Sequence, residues 1–291
     1  MLPITKWTGS KRYQASVIVD NFNKEINTYY EPFIGGGSIL CEYLIRLESG
    51  NYKCNNIICS DINKDLTDIY NFIKINPDKF INEYVKLFDQ FEPLNDIDRK
   101  EFYYDIRDKY NKLKRENIFN DNRTIYFNWL MRTCFNGLIR YNAQGDFNAS
   151  CHFTRHGMTP KNMEKLISEW SIMLNRHNVE ILNISYDELN NIKKDDLVYC
   201  DPPYITPTGG LYDYNIFDHQ KFFEWLNQLP CKYLLSYDGM SGNIDNTYND
   251  MPKEIYDRHI YIDSSISGFK KLVKKKIENV YDSLYIKEAK G

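Results

Sequence analysis

The feature that most constrains this chain is an alternation of short apolar runs with helix-period segments that stops near residue 70 and resumes near residue 179. Before the break, 17–22 fits a helix face, 28–33 a strand, 39–47 a helix and 56–60 a strand. After it, 179–182, 196–200 and 233–237 read as strands, with a turn at 186–191 and a helix over 219–228. Residues 254–286 read as further strands joined by a polar, Ser/Gly-containing and then Lys-rich connection. The interval 72–129 is charged and aromatic, with apolar side chains at helical spacing, as in Phe80, Ile81, Tyr84, Val85, Leu87 and Phe88. From 134 to 159 turn residues take over, notably Asn136-Gly137 and Gln144-Gly145-Asp146, which suits a hairpin or an irregular loop, and a helix follows over 160–176. Two α/β stretches around a helical one predict an α/β fold with one doubly wound, Rossmann-like sheet interrupted by a mostly helical insertion that ends in a β-hairpin. The expected division is a discontinuous catalytic domain, 1–70 and 160–291, with the insertion at 71–159.

A chain of 291 residues can bury a full core and still carry a smaller inserted domain. Hydrophobic residues at 42% and charged ones at 26% exclude a disordered or fibrous chain. No apolar run approaches the roughly 20 residues of a membrane span, and residues 1–13 lack the apolar core of a signal peptide, so the expectation is a soluble, intracellular protein. Seven irregularly spaced cysteines read as free thiols in a reducing compartment. Cys151, His152 and His156 lack a paired CxxC partner and read as loop residues, so no metal is expected. The net charge of −3 neither advertises nor excludes nucleic acid, and any such surface must come from local Lys/Arg clusters. The run Lys270-Lys271-Leu272-Val273-Lys274-Lys275-Lys276 reads as a solvated charge run, with phosphate contact as the alternative.

Three short constellations stand at predicted strand ends. Glu31-Pro32-Phe33-Ile34-Gly35-Gly36-Gly37-Ser38 lies between a strand and a helix, where glycines let the backbone turn sharply and a ligand come close. It is neither the GxGxxG of dinucleotide enzymes nor a phosphate-cradling loop ending in Gly-Lys-Ser/Thr, and a plain connecting turn remains open. Asp61, after the next strand, can accept hydrogen bonds from both ribose hydroxyls of an adenosine-containing ligand, or can cap a helix starting near Lys64. Asp201-Pro202-Pro203-Tyr204 follows the apolar run 197–200. The prolines hold the chain extended, so a carboxylate and a fixed carbonyl can together accept the two N–H bonds of an exocyclic amine, while Tyr204 offers a flat face to a base.

The glycine segment followed far downstream by Asp201-Pro202-Pro203-Tyr204 resembles the Dam-type DNA adenine-N6 methyltransferases, in which the cofactor loop precedes both the recognition insert and the catalytic motif. Lys6-Trp7-Thr8-Gly9-Ser10-Lys11 is similar to that family's opening Lys-Trp-x-Gly-x-Lys segment, with Ser10 in place of the usual Gly. The stretch 134–148 resembles the family's recognition hairpin, though Ala149-Ser150-Cys151-His152 departs from its usual Val-Pro-Phe-Gly continuation, which puts the target sequence in doubt.

The resemblance implies S-adenosylmethionine as methyl donor, S-adenosylhomocysteine as product, double-stranded DNA as partner and no metal. It implies donor contacts from Trp7, Lys11, Glu31, Pro32, Phe33, Gly35, Gly37, Asp61 and Asp201, and from Tyr186 and Asp187 as an aromatic-acid pair against the adenine. It assigns DNA contact to Lys11, Asn136, Leu138, Arg140 and Asn142, and catalysis to Asp201, Pro202, Pro203 and Tyr204. Arg can read a guanine edge, Asn an adenine, and an apolar wedge such as Leu138 can fill the gap left by a flipped base. A cognate restriction endonuclease is a partner the resemblance allows. The expected function is methylation of a flipped adenine in duplex DNA; the alternatives are a catalytically silent DNA-binding protein of the same fold, or methylation of cytosine N4 or RNA.

Overall fold

The computed structural model describes residues 1–5, 7, 9–152, 154, 156–204, 217–241, 244–245, 247, 251–264 and 280–291. The lysine-rich run at 270–276 and residues Lys6 and Thr8 of the opening motif lie outside the described residues. The chain forms two compact units, one of residues 1–10, 35–37 and 63–183, the other of 11–34, 38–62 and 184–291.

The second unit holds the sheet. Its elements are α1 (Ala15–Asp20), β1 (Glu25–Glu31), α2 (Ser38–Glu48), β2 (Lys53–Ser60), β4 (Leu197–Cys200), α8 (His219–Gln228), β5 (Lys232–Ser241), β6 (Ile244–Asp245), β7 (Arg258–Asp263) and β8 (Val280–Lys287). The strands lie in the order β2-β1-β4-β5-β8-β7, with β6 on β5. The first four run parallel, whereas β8 is antiparallel to both β5 and β7. All four residues of β4 are buried, as a central strand covered on both faces requires. From β1 the chain builds outward through β2 on one side and through β4 and β5 on the other, so the order reverses between β1 and β4. Open α/β sheets bind ligands outside the carboxyl ends of the strands at such a switch point. Here those ends are Glu31 and Cys200.

The first unit is built from α3 (Lys64–Ile75), α4 (Pro77–Phe91), α5 (Asp96–Arg115), α6 (Asp121–Thr133), α7 (Pro160–Arg176) and the short strand β3 (Glu180–Leu182). Proline opens α4 and α7, and asparagine side chains cap α3, α5 and α6 at Asn63, Asn95 and Asn120. α7 packs on α3 and α4, which is why 160–176 groups with the helices here. In the core, Asp65 takes two hydrogen bonds from Arg123 and one from Tyr110. The segment 134–159 contains a short 3-10 turn at Phe135–Gly137 and two isolated antiparallel bridges, Cys134 with Cys151 and Tyr141 with Phe147. Asn111 pins it by exchanging two hydrogen bonds with the Phe147 backbone, at 3.0 and 2.8 Å, and Tyr103 donates to the Ala149 carbonyl at 2.9 Å.

Candidate active site

Asp201 follows the last residue of β4, and Lys11 Nζ sits 3.1 Å from its Oδ1. Tyr204 donates its hydroxyl to the same oxygen at 2.9 Å. Among the described residues Oδ2 has no bonded partner. Pro202 is buried and Pro203 half-buried, so the turn is rigid and fixed in place. Lys11 also reaches Asp282 Oδ2 at 3.4 Å, and Gln14 donates to that oxygen at 2.9 Å. Lys11 Nζ lies over the Tyr204 ring at 4.6 Å, and the Tyr237 ring stands 5.3 Å from it at 36°.

One ammonium therefore serves several carboxylates. Burial pulls Lys11 down, but Asp201 and Asp282 outweigh it, so Lys11 titrates above an ordinary lysine. Burial pushes Asp201 above the ordinary aspartate range, against the pull of Lys11 and the Tyr204 hydroxyl. Asp238 of β5 is raised to about 6 by burial and by the charge of Asp282. Burial is the first cause for both aspartates, and the charge of Asp282 adds to it.

At the end of β1, Glu31 is buried and accepts from the Tyr29 hydroxyl at 2.8 Å. Burial raises its pKa to about 8, against that hydrogen bond. Pro32 is buried and Phe33 half-buried, and the Phe33 ring stacks on Tyr186 at 5.8 Å and 28°. Tyr186 opens a short 3-10 turn closed by the Ser185/Glu188 capping box, and Lys221 bonds the neighbouring Asp187 carboxylate, holding it below the ordinary range. Asp61 follows the last residue of β2. It is not the cap of α3; Asn63 is, accepting from the Leu66 N–H.

In the helical unit, Gly35 and Gly37 have φ of +48° and +71°. A Cβ on Gly35 would come within 3.1 Å of the Trp7 indole, so Trp7 stands against this turn. The side chains expected at DNA differ in their engagement. Asn136 adopts a left-handed conformation, φ 54°, inside the 3-10 turn, and Leu138 is half-buried. Arg140 is exposed and donates Nε to Asn148 Oδ1 at 3.1 Å. Asn142 accepts from the backbone N–H groups of Gln144 and Asp146, which commits its oxygen to the turn. His156 engages Arg99 and Glu92, and the Cys151 thiol faces the His152 carbonyl. All seven cysteines are free. Among the described residues no helix is long and apolar enough to cross a membrane.

The family model of the D12 class N6 adenine-specific DNA methyltransferases matches residues 7–279. The chain belongs to this family. A type II methyltransferase of Methanocaldococcus jannaschii is 33% identical over 264 residues, covering 84% of this chain and 85% of that protein. A type II methyltransferase of Lactococcus lactis subsp. cremoris is 28% identical over 258 residues, covering 87% and 84%. A DNA adenine methylase of Vibrio cholerae is 30% identical over 212 residues, covering 72% and 68%.

Sequence reading of this D12-class methyltransferase missed Gln14, Asp238 and Asp282. A signal existed for one of them: Asp238-Gly239 interrupts an apolar strand, and a glycine there marks a bulge or a close backbone approach. Gln14 and Asp282 lie far apart in the chain, and only the fold brings them together.

Proposed function

We propose that this D12-class methyltransferase moves a methyl group from S-adenosylmethionine to N6 of an adenine flipped out of duplex DNA, with Asp201 and the Pro202 carbonyl accepting the two N–H bonds of the amine. The observation that carries this reading is the state of Asp201. One oxygen is held by Lys11 and Tyr204, and the other has no bonded partner among the described residues, at the carboxyl end of the switch-point strand. An amine bonded to a carboxylate and a fixed carbonyl is driven toward a pyramidal nitrogen whose lone pair is aimed for in-line attack. Tyr204 supplies a stacking face worth about 1–3 kcal/mol, which offsets much of the few kcal/mol that unpairing a base costs.

When bound, S-adenosylmethionine supplies an electrophilic methyl on a sulfonium leaving group, and S-adenosylhomocysteine departs. The residues present fit this donor. Asp61 stands at the carboxyl end of β2 and does not cap α3, a position that suits an acceptor for the ribose hydroxyls. The paired rings of Phe33 and Tyr186 suit a flat adenine, with Asp187 beside them, and the buried carboxylate of Glu31 suits a cationic group. Pro32, Gly35 and Gly37 shape the turn after β1, and we assign Trp7 and Lys11 to the same ligand on the strength of the family motif.

We assign 71–159 to target recognition, within a catalytic chain of 1–70 and 160–291. Asn136, Leu138 and Arg140 face the bases in this reading, with Asn142 shaping the loop and Lys11 approaching the flipped nucleotide. The type II relatives support a cognate restriction endonuclease as partner and action inside the cell, where DNA lies. The test is transfer of labelled methyl to duplex DNA, wild type against Asp201→Ala, with modified bases mapped by sequencing. N6-methyladenine at one short motif, lost in the variant, is expected; transfer that survives in Asp201→Ala, or modification of cytosine or RNA instead, overturns the proposal.

A further inference from the structure

Asp201 is held on one side only, and its holder is itself held. Lys11 Nζ, 3.1 Å from Asp201 Oδ1, is drawn toward Asp282 Oδ2 at 3.4 Å, and Gln14 Nε2 fixes that same Asp282 oxygen at 2.9 Å. Asp282 lies on β8 opposite a bulge in β5. The register passes from Tyr237↔Ser283 to Met240↔Tyr281, so Asp238 and Gly239 together face the single residue Asp282. A Cβ on Gly239 would meet the Tyr281 carbonyl at 2.3 Å and the Asp282 backbone at 2.9 Å, so β8 presses directly on the glycine. Bulges of this kind re-aim a side chain and recur beside active sites.

We propose that Asp282 is a positioning residue for methyl transfer: it shares Lys11 with Asp201, so that Lys11 clamps one oxygen of Asp201 and leaves the other turned to the amine. This rests on the reading of Asp201 as amine acceptor. A lysine facing Asp201 alone could swing to either oxygen and compete with the amine for both. Tethered from behind by Asp282 and Gln14, it reaches only Oδ1. The arrangement also keeps more carboxylate than ammonium charge around Asp201, which favours the positive charge that develops on the attacking nitrogen. Asp282 touches neither substrate in this scheme and acts through Lys11.

The experiment compares Asp282→Asn, Asp282→Glu and Gln14→Leu with wild type and Asp201→Ala, measuring single-turnover methyl transfer to duplex DNA together with KM for DNA and Kd for S-adenosylmethionine. Asp282→Asn is expected to lower the transfer rate by about 10²-fold, the scale on which a 1 Å misplacement acts, with KM and Kd little changed. Asp282→Glu restores much of the rate, and Gln14→Leu gives a smaller loss in the rate alone. A wild-type rate in Asp282→Asn, or a loss carried mainly by KM and Kd, overturns the inference; so does failure of Asp282→Glu to improve on Asp282→Asn. Should Asp282→Asn not fold, Gln14→Leu decides: a wild-type rate overturns the inference and a rate-only loss supports it. Asp201→Ala reports separately, since Asn keeps an oxygen able to accept from the amine: if Asp201→Ala stays active, the assignment of Asp201 itself fails, whereas an inactive Asp201→Ala beside an active Asp282→Asn removes only the role of Asp282.

Discussion

Tyr70 donates its hydroxyl to the Gly35 carbonyl at 2.9 Å, and the same hydroxyl stands 2.5 Å from where a Cβ on Gly37 would be. The oxygen that pins the turn thereby excludes any side chain at its end. Gly37→Ala combines this clash with a left-handed φ and is expected to destabilise the protein by about 1–3 kcal/mol or more. Gly50→Ala has a similar φ of +73° but meets nothing within 4 Å. Thermal denaturation should rank Gly37→Ala as clearly the worse; equal losses would mean that only backbone strain counts.

Glu31 ties stability to pH with the reverse of the usual carboxylate sign. Its folded pKa of about 8 lies above the 4.5 of an ordinary glutamate, so between these values the folded state binds more protons than the unfolded one. Stability from this group is therefore present below about pH 4.5 and is lost as pH rises toward 8. Glu31→Gln keeps an acceptor for Tyr29 and removes the titration. Its melting temperature should exceed that of wild type at pH 8 and approach it at pH 5.

The pair of Asp65 and Arg123 is buried on both sides, with Nε 2.5 Å from Oδ1 and Nη2 3.0 Å from Oδ2. Asp65→Ala strands a guanidinium in the core and is expected to cost about 3–5 kcal/mol in urea unfolding. Replacing both partners, as Asp65→Leu with Arg123→Met, should recover part of that loss, because the charge and its partner leave together while the buried Tyr110 hydroxyl loses its acceptor.

The segment proposed for target recognition holds two kinds of residue. Arg140 is exposed, and Arg140→Ala is expected to weaken specific DNA binding by about 1–3 kcal/mol and relax selectivity at one base pair, read by binding titration and methylation mapping. Asn142 spends its oxygen on two backbone N–H groups. Asn142→Ala should instead loosen the loop, raising amide exchange at Gln144 and Asp146.

The helix 160–176 and the helix 219–228 were legible from periodicity alone, and α7 and α8 occupy the same residues. So was the strand ahead of Asp201, because four apolar residues between charged neighbours and two prolines leave it few options. The hairpin expected in 134–159 takes the form of two isolated bridges, since Asn111 and Tyr103 take up backbone groups that a regular ladder would pair. The two readings of Asp61 were equivalent in sequence, and the structure removes the capping one, because Asn63 holds the cap. Asp282 was illegible for a different reason: a lone aspartate on a terminal strand gains meaning from a lysine far away in the chain, and pairing across that distance leaves no local pattern.

The cap of α3 rests on Asn63 and not on Asp61, the residue proposed for the donor's ribose. Because the helix start is secured two residues downstream, position 61 can change its chemistry without taking the helix with it. On the proposal that Asp61 holds the donor's ribose, variation there would be a route to retuned donor preference that leaves the α3 cap in place, in the laboratory or by descent.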